Sequence, residues 1–154
     1  MNVEIVVFPA TRMAAIEHRG SPVLEYDTVR KLVAWKLEQG LLDPTKHRHY
    51  GMHYADPRSA APSEYRAEFC LSIDWEVGAN AYGIYEKVIP SCRCALARDI
   101  GSRSNNQAAT HLFEAWLPAS DEVWTGEPAI FHYVNVGPNV KEYEAITDVY
   151  LPLK

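Results

Sequence analysis

The sequence is poor in several features that usually announce a function. It has three cysteines, Cys70, Cys92 and Cys94. That number cannot close a disulfide framework, and the last two are spaced as same-face neighbours on a strand, not as a CxxC pair, so a reduced cytoplasmic compartment is expected. No GxSxG and no glycine-rich phosphate loop occurs, and no cysteine has an adjacent histidine, which removes the common signatures of nucleophilic and nucleotide chemistry. Long apolar runs are missing too. The first, in Met1-Asn2-Val3-Glu4-Ile5-Val6-Val7-Phe8-Pro9, carries an early glutamate and stops at proline, so it reads as neither signal peptide nor membrane anchor. Basic charge is also scarce: 15 Lys and Arg against 20 Asp and Glu give a net charge of -5. That is the wrong sign for a protein that works by neutralising phosphates, so direct nucleic-acid binding is not expected.

What is present fits one ordinary domain. The 154 residues, 47% apolar and 23% charged, suffice to bury a core without staples. Alternation predicts strands over 3–8, 12–18, 48–54 and 65–73 in the first half, and over 84–89, 92–99, 129–134 and 145–153 in the second. The first two strands, separated by Pro9, Ala10 and Thr11, read as a hairpin or bulged pair. Gly20-Ser21-Pro22 supplies a helix start, and Tyr26, Val29, Val33 and Leu37 continue at helical spacing to Gly40, which predicts a helix buried on that face. A second helix is expected over 104–116. In the strand 65–73, Tyr65, Ala67, Phe69, Leu71 and Ile73 fall on one face, with Arg66, Glu68 and Ser72 on the other.

The halves resemble one another. A shift of 81 residues lays Gly20-Ser21 on Gly101-Ser102 and Ala34-Trp35 on Ala115-Trp116, and pairs Ala14 with Ala95, Leu32 with Phe113 and Tyr50 with Phe131. An internal duplication follows, with repeats of about 1–75 and 82–154 in a single domain spanning 1–154. The expected class is α+β: two βαββ units in a mainly antiparallel sheet, both helices on one face, and a central ligand groove where the halves meet.

Six histidines raise the question of a metal. His47, His49 and His53 share a strand face, but the first and last are too far apart to converge without a bend, and no close carboxylate or thiolate joins them. A solvated or groove-lining strand accounts for them, and neither metal nor cofactor is assigned. The 17 aromatic residues say more. Trp35 and Trp116 are assigned to the core, whereas tyrosines on strands, such as Tyr50 and Tyr54, need a partner for each hydroxyl. Aromatic faces beside an acid suit an organic cation. The last strand offers one: Thr147, Val149 and Leu151 lie on one face, Asp148 and Tyr150 on the other. A carboxylate in an apolar strand must be paired if buried, and the alternative is an edge-strand aspartate in water.

Several segments together resemble the GyrI-like, or effector-binding, domain of AraC-type and MerR-type regulators. They are Tyr50-Gly51-Met52-His53-Tyr54-Ala55-Asp56-Pro57, then Pro62 with Tyr65-Arg66-Ala67-Glu68-Phe69-Cys70, Ile89-Pro90 leading to Cys94-Ala95-Leu96-Ala97-Arg98, Phe113-Glu114-Ala115-Trp116-Leu117-Pro118, and Asp148-Val149-Tyr150-Leu151-Pro152-Leu153. The resemblance implies a duplicated βαββ fold whose groove takes hydrophobic, often cationic molecules, here as a stand-alone sensor or sequestering domain. It also implies two alternatives: a DNA gyrase inhibitor acting through protein contact, and a small hydrolase of strained electrophiles using the same groove. By its pattern Tyr150 and Asp148 are ligand contacts, Asp148 standing where glutamate is more usual. His132 stands where the family has an acidic residue; protonated it would repel a cation, and neutral it could hydrogen-bond or stack. Tyr50, Tyr54 and Glu68 of the first half complete the expected ligand set. The expected partners are a small ligand and, in the alternative, gyrase or another protein, with no membrane.

Overall fold

The computed structural model describes residues 1–154. All eight expected strands are present: β1 Glu4–Phe8, β2 Thr11–Arg19, β3 His49–His53, β4 Arg66–Ser72, β5 Tyr85–Ile89, β6 Cys92–Ile100, β7 Ile130–Tyr133 and β8 Ile146–Pro152. All pair antiparallel, and with the helices they make an α+β fold.

The chain forms two compact units, Thr11–Ile89 and Met1–Ala10 with Pro90–Lys154. In the first, the strand order is β3-β4-β2-β5. One face of this sheet packs on helix α1, Glu25–Glu38, through Ala14, Ile16, Leu32, Trp35, Phe69 and Leu71. In the second, the order is β1-β6-β8-β7, and Ala95, Ala97, Val149 and Leu151 pack on Ala108 and Leu112 of the second helical segment. Each fully buried Leu or Val side chain is worth about 1.5–3 kcal/mol, so these two clusters dominate the stability of their units.

The expected hairpin of the first two strands does not form. β1 pairs with β6, Glu4 opposite Leu96 through Phe8 opposite Cys92, and β2 lies between β4 and β5. A two-residue hairpin loop needs positive φ at one or both central residues. Proline fixes φ near −65°, and the chain has no non-glycine residue with positive φ, so Pro9-Ala10 cannot make that turn. The shift of 81 also lays Pro9 on Pro90, and β5 is likewise separated from β6. Each repeat therefore gives its first strand to the sheet of the other.

Helix α1 starts as expected: the Ser21 side chain accepts from the Val23 amide at 3.3 Å and Pro22 opens a 3-10 turn. Its buried face takes in Val29 of the expected stripe and Trp35, as expected, but not Tyr26, Val33 or Leu37. Leu32 and Trp35 are buried and Val29 packs beside them, whereas Tyr26, Val33 and Leu37 are 71%, 37% and 60% exposed. Burying Trp35, which lies 5.6 Å from the ring of Trp75, removes more apolar area than any residue of the competing stripe could. The second helix begins at Gln107, capped by the Asn106 side chain accepting from the Ala109 amide at 2.9 Å. It contains a π-helical turn at His111–Trp116 and ends at Ala119.

Pairing Tyr50 with Phe131 also fails by one residue. Ala14 lies opposite Leu71 and Ala95 opposite Leu151, so β4 and β8 correspond at a shift of 80. Tyr50 lies opposite Cys70 and Ile130 opposite Tyr150, which makes Ile130 the counterpart of Tyr50. No helix is long and apolar enough to cross a membrane.

Candidate functional site

The two carboxylates singled out in the sequence occupy corresponding positions. Glu68 on β4 lies opposite Glu17 on β2 and Met52 on β3. Asp148 on β8 lies opposite Arg98 on β6 and His132 on β7. Both face away from the helix of their unit, because Ala67, Phe69, Val149 and Leu151 take the helix side.

Glu68 is only 2% exposed. Its carboxylate accepts from the Tyr54 and Tyr85 hydroxyls and, at 2.6 Å, from Lys87 Nζ. Lys87 Nζ also donates to the Tyr54 hydroxyl at 3.0 Å and lies 5.7 Å from that ring's centroid. The Arg66 guanidinium stacks over the same ring at 3.9 Å and donates to Glu17 at 2.7 Å. Tyr85 and Lys87 come from β5, across β2, where Ala15 opposite Tyr85 is small enough to leave room above the sheet.

The electrostatics follow from these contacts. Burial raises the Glu68 pKa, but the donors Lys87, Tyr54 and Tyr85 outweigh it and hold the group below the ordinary carboxylate range. Burial and then the carboxylate push Tyr54 and Tyr85 up. For Lys87, burial lowers the pKa and the bond to Glu68 more than restores it. At neutral pH the cluster is a carboxylate, an ammonium and two neutral hydroxyls. A carboxylate held ionised by three donors is a poor general base.

Asp148 is 7% exposed, on a strand flanked by β6 and β7, so it is not an edge-strand residue in water. Arg98 grips it with two bonds, Nε at 2.7 Å and Nη2 at 3.0 Å. The bond to Asp148, against a smaller effect of burial, raises the arginine pKa further. The Arg98 side chain is nonetheless 53% exposed. Beside the pair opens a cleft of about 340 Å³ lined by Asn2, Glu4, Leu96, Arg98 and Asp148. Tyr150, opposite Leu96, packs edge-to-face on Phe8 at 5.1 Å.

Over its whole length, residues 1–154, the sequence matches the GyrI-like small molecule binding domain. The chain belongs to this family. It is 33% identical over 154 residues to the probable transcriptional regulator YgiV of Escherichia coli K12, covering 99% of this chain and 96% of that protein. The GyrI-like fold also superposes on the C-terminal domain of EcmrR with a TM-score of 0.75 at 14% identity, over 99% of this chain and 97% of that one. Against EcmrR in its complex with DNA the TM-score is 0.76 at 13% identity; the chain covers 57% of that regulator's length while 99% of it is matched. A hydrolase encoded by lin2189 of Listeria innocua gives a TM-score of 0.70 at 12% identity, over 99% and 91% of the two chains.

Within this GyrI-like domain the structure gathers Glu68 and Tyr54 into one cluster in the unit Thr11–Ile89. Tyr50, in the same unit, bonds instead with Arg48 Nε at 2.8 Å. Asp148, Tyr150 and His132 lie on one face of the other unit. Tyr85, Lys87 and Arg98 were not singled out in the sequence. Their signal was indirect: a carboxylate buried in mid-strand demands a counter-charge, but only strand pairing says which cation reaches it. The clustered histidines take separate partners, His47 Nδ1 with the Ser72 carbonyl at 3.0 Å, His49 Nε2 with Lys36 Nζ at 2.9 Å and His53 Nδ1 with the Tyr65 hydroxyl at 2.6 Å.

Proposed function

We propose that this GyrI-like domain is a cytoplasmic receptor for a small, partly hydrophobic cation, bound at Asp148, with Tyr150 and His132 on the same sheet face. The observation that carries this reading is the contrast between the two carboxylates. Glu68 is closed over by side chains of its own unit, whereas Asp148 borders an open cleft. That cleft holds two carboxylates, Glu4 and Asp148, against one guanidinium, so its net charge is negative, and Leu96 adds an apolar wall. Arg98 is more than half exposed, so its guanidinium can swing out to water while a cationic ligand takes its place as the counter-charge of Asp148. Tyr54 and Glu68 of the first unit are proposed as part of a second, separate ligand site, while the Tyr50 hydroxyl accepts from Arg48. The likeness to a probable transcriptional regulator supports a sensing role in which the ligand state is passed to a partner.

The test is a thermal-shift titration with tetraphenylphosphonium and with a neutral aromatic of similar size, on wild type and Asp148→Asn. A ligand that binds only the folded state at about 100 times its Kd adds roughly 2.7 kcal/mol, or about 5–10 °C for a domain of this size. The cation is expected to shift wild type and not Asp148→Asn. Equal shifts by cation and neutral compound, or none, would overturn the cation reading.

A further inference from the structure

The Glu68 centre has the composition of an ammonium-binding cage: a carboxylate, two tyrosine hydroxyls and an aromatic face within cation–π distance. Its occupant belongs to the chain. Lys87 Nζ sits 2.6 Å from Glu68 and 3.0 Å from the Tyr54 hydroxyl, at the end of a flexible stem that is 29% exposed. We propose that Glu68, Tyr54 and Tyr85 form a second site, specific for a primary alkylammonium group, and that Lys87 is its tethered ligand.

Comparison of the two halves supports this. Register makes Lys87 the counterpart of Val6, Tyr85 that of Glu4 and Ala15 that of Leu96. Where the unit of Asp148 has Val6 and Glu4 on β1, neither of these side chains can supply an ammonium or a hydroxyl to the carboxylate, and a cleft is left open. Where the first half has Lys87 and Tyr85, and alanine beneath them, the same position is filled. One scaffold thus carries an open acidic site and a closed one. Lys87 determines specificity: while it is charged and in place, external cations are refused at Glu68 and directed to Asp148. This inference rests on the proposed function only for that last step, since the occupancy of Glu68 by an ammonium stands on its own contacts.

Chemical rescue provides the test. Lys87→Ala removes the ammonium and the stem and leaves the buried Glu68 carboxylate with its two hydroxyl donors and Arg66 Nη2 at 4.0 Å but without its hydrogen-bonded counter-charge, which destabilises the fold. In the Asp148→Asn background, n-butylammonium should then occupy the vacated space and raise the melting temperature of Lys87→Ala by about 3–6 °C at roughly ten times its Kd. In that background it should shift neither the chain with Lys87 intact nor the variant Lys87→Ala/Glu68→Gln. If Lys87→Ala does not fold alone, Lys87→Val, which keeps the stem to Cγ and suits a strand, is titrated with ethylammonium instead. A folded Lys87 variant that responds to neither amine, or that responds equally after Glu68→Gln, overturns the proposal. Performing the rescue with Asp148→Asn present keeps it independent of the first site. Rescue without wild-type cation binding would sink the proposed function alone, and the reverse result would sink only this inference.

Discussion

At the scale of single residues, the burial of titratable groups is matched by hydrogen bonds that fix their protonation. His53 is a case beyond the two carboxylate centres. The Tyr65 hydroxyl donates its only proton to Glu25, so His53 Nδ1, 2.6 Å from that oxygen, is the donor in their contact. Burial lowers the His53 pKa from its ordinary 6.5, and the opposing pull of Glu25 does not restore it. Below pH 6.5 the unfolded chain therefore takes up a proton that the folded chain refuses. Stability from this group is present above that value and is lost as pH falls from 6.5 towards the lowered one, with a slope of at most about 1.4 kcal/mol per pH unit. Urea unfolding of wild type and His53→Gln from about pH 7.5 to about pH 5 measures it. The wild-type advantage should shrink on acidification. A difference that stays constant would mean that His53 is not held neutral.

At the scale of elements, the strands were legible because their alternation is clean. Tyr65, Ala67, Phe69, Leu71 and Ile73 all lie in the first unit's core, as their spacing requires. The helix face was legible only in part, at Val29 and Trp35. Helix α1 carries two apolar stripes, Tyr26 with Val33 and Leu37, and Val29 with Leu32 and Trp35, and periodicity does not rank them; the bulk of Trp35 against Trp75 does. The distinction predicts opposite costs for similar chemistry. Leu32→Ala should lose about 2–5 kcal/mol by opening a core cavity, while Leu37→Ser, on the exposed stripe, should stay within about 0.5 kcal/mol. Chemical denaturation reads both. A large loss at Leu37 would show that the exposed stripe is covered in solution.

At the scale of the whole chain, the duplication was visible in the sequence and its wiring was not. Paired dipeptides such as Gly20-Ser21 and Gly101-Ser102 reveal two repeats, and the natural cut falls between them. Yet β1 completes the sheet of the second helix, and β5 that of the first. The reason lies in the links Pro9-Ala10 and Pro90-Ser91, which cannot turn tightly enough to fold each first strand back onto the next. Both proposed sites depend on this exchange. Lys87 and Tyr85 belong to the second repeat by sequence but close the carboxylate of the first, and Glu4, from the first repeat, lines the cleft beside Asp148. The exchange predicts which fragment is structured. A fragment 11–89 contains every strand of the sheet that packs on α1, with the Glu68, Lys87, Tyr54 and Tyr85 cluster intact. A fragment 1–75, cut at the sequence repeat, carries β1 without its partner β6 and lacks β5. Far-UV circular dichroism and amide exchange should therefore find 11–89 the more ordered and the better protected along β2, whose amides and carbonyls face β4 on one side and β5 on the other. If 1–75 proved the more protected, β1 would be pairing with β2 as a hairpin after all, and the assignment of Lys87 to the first repeat's carboxylate would fall with it.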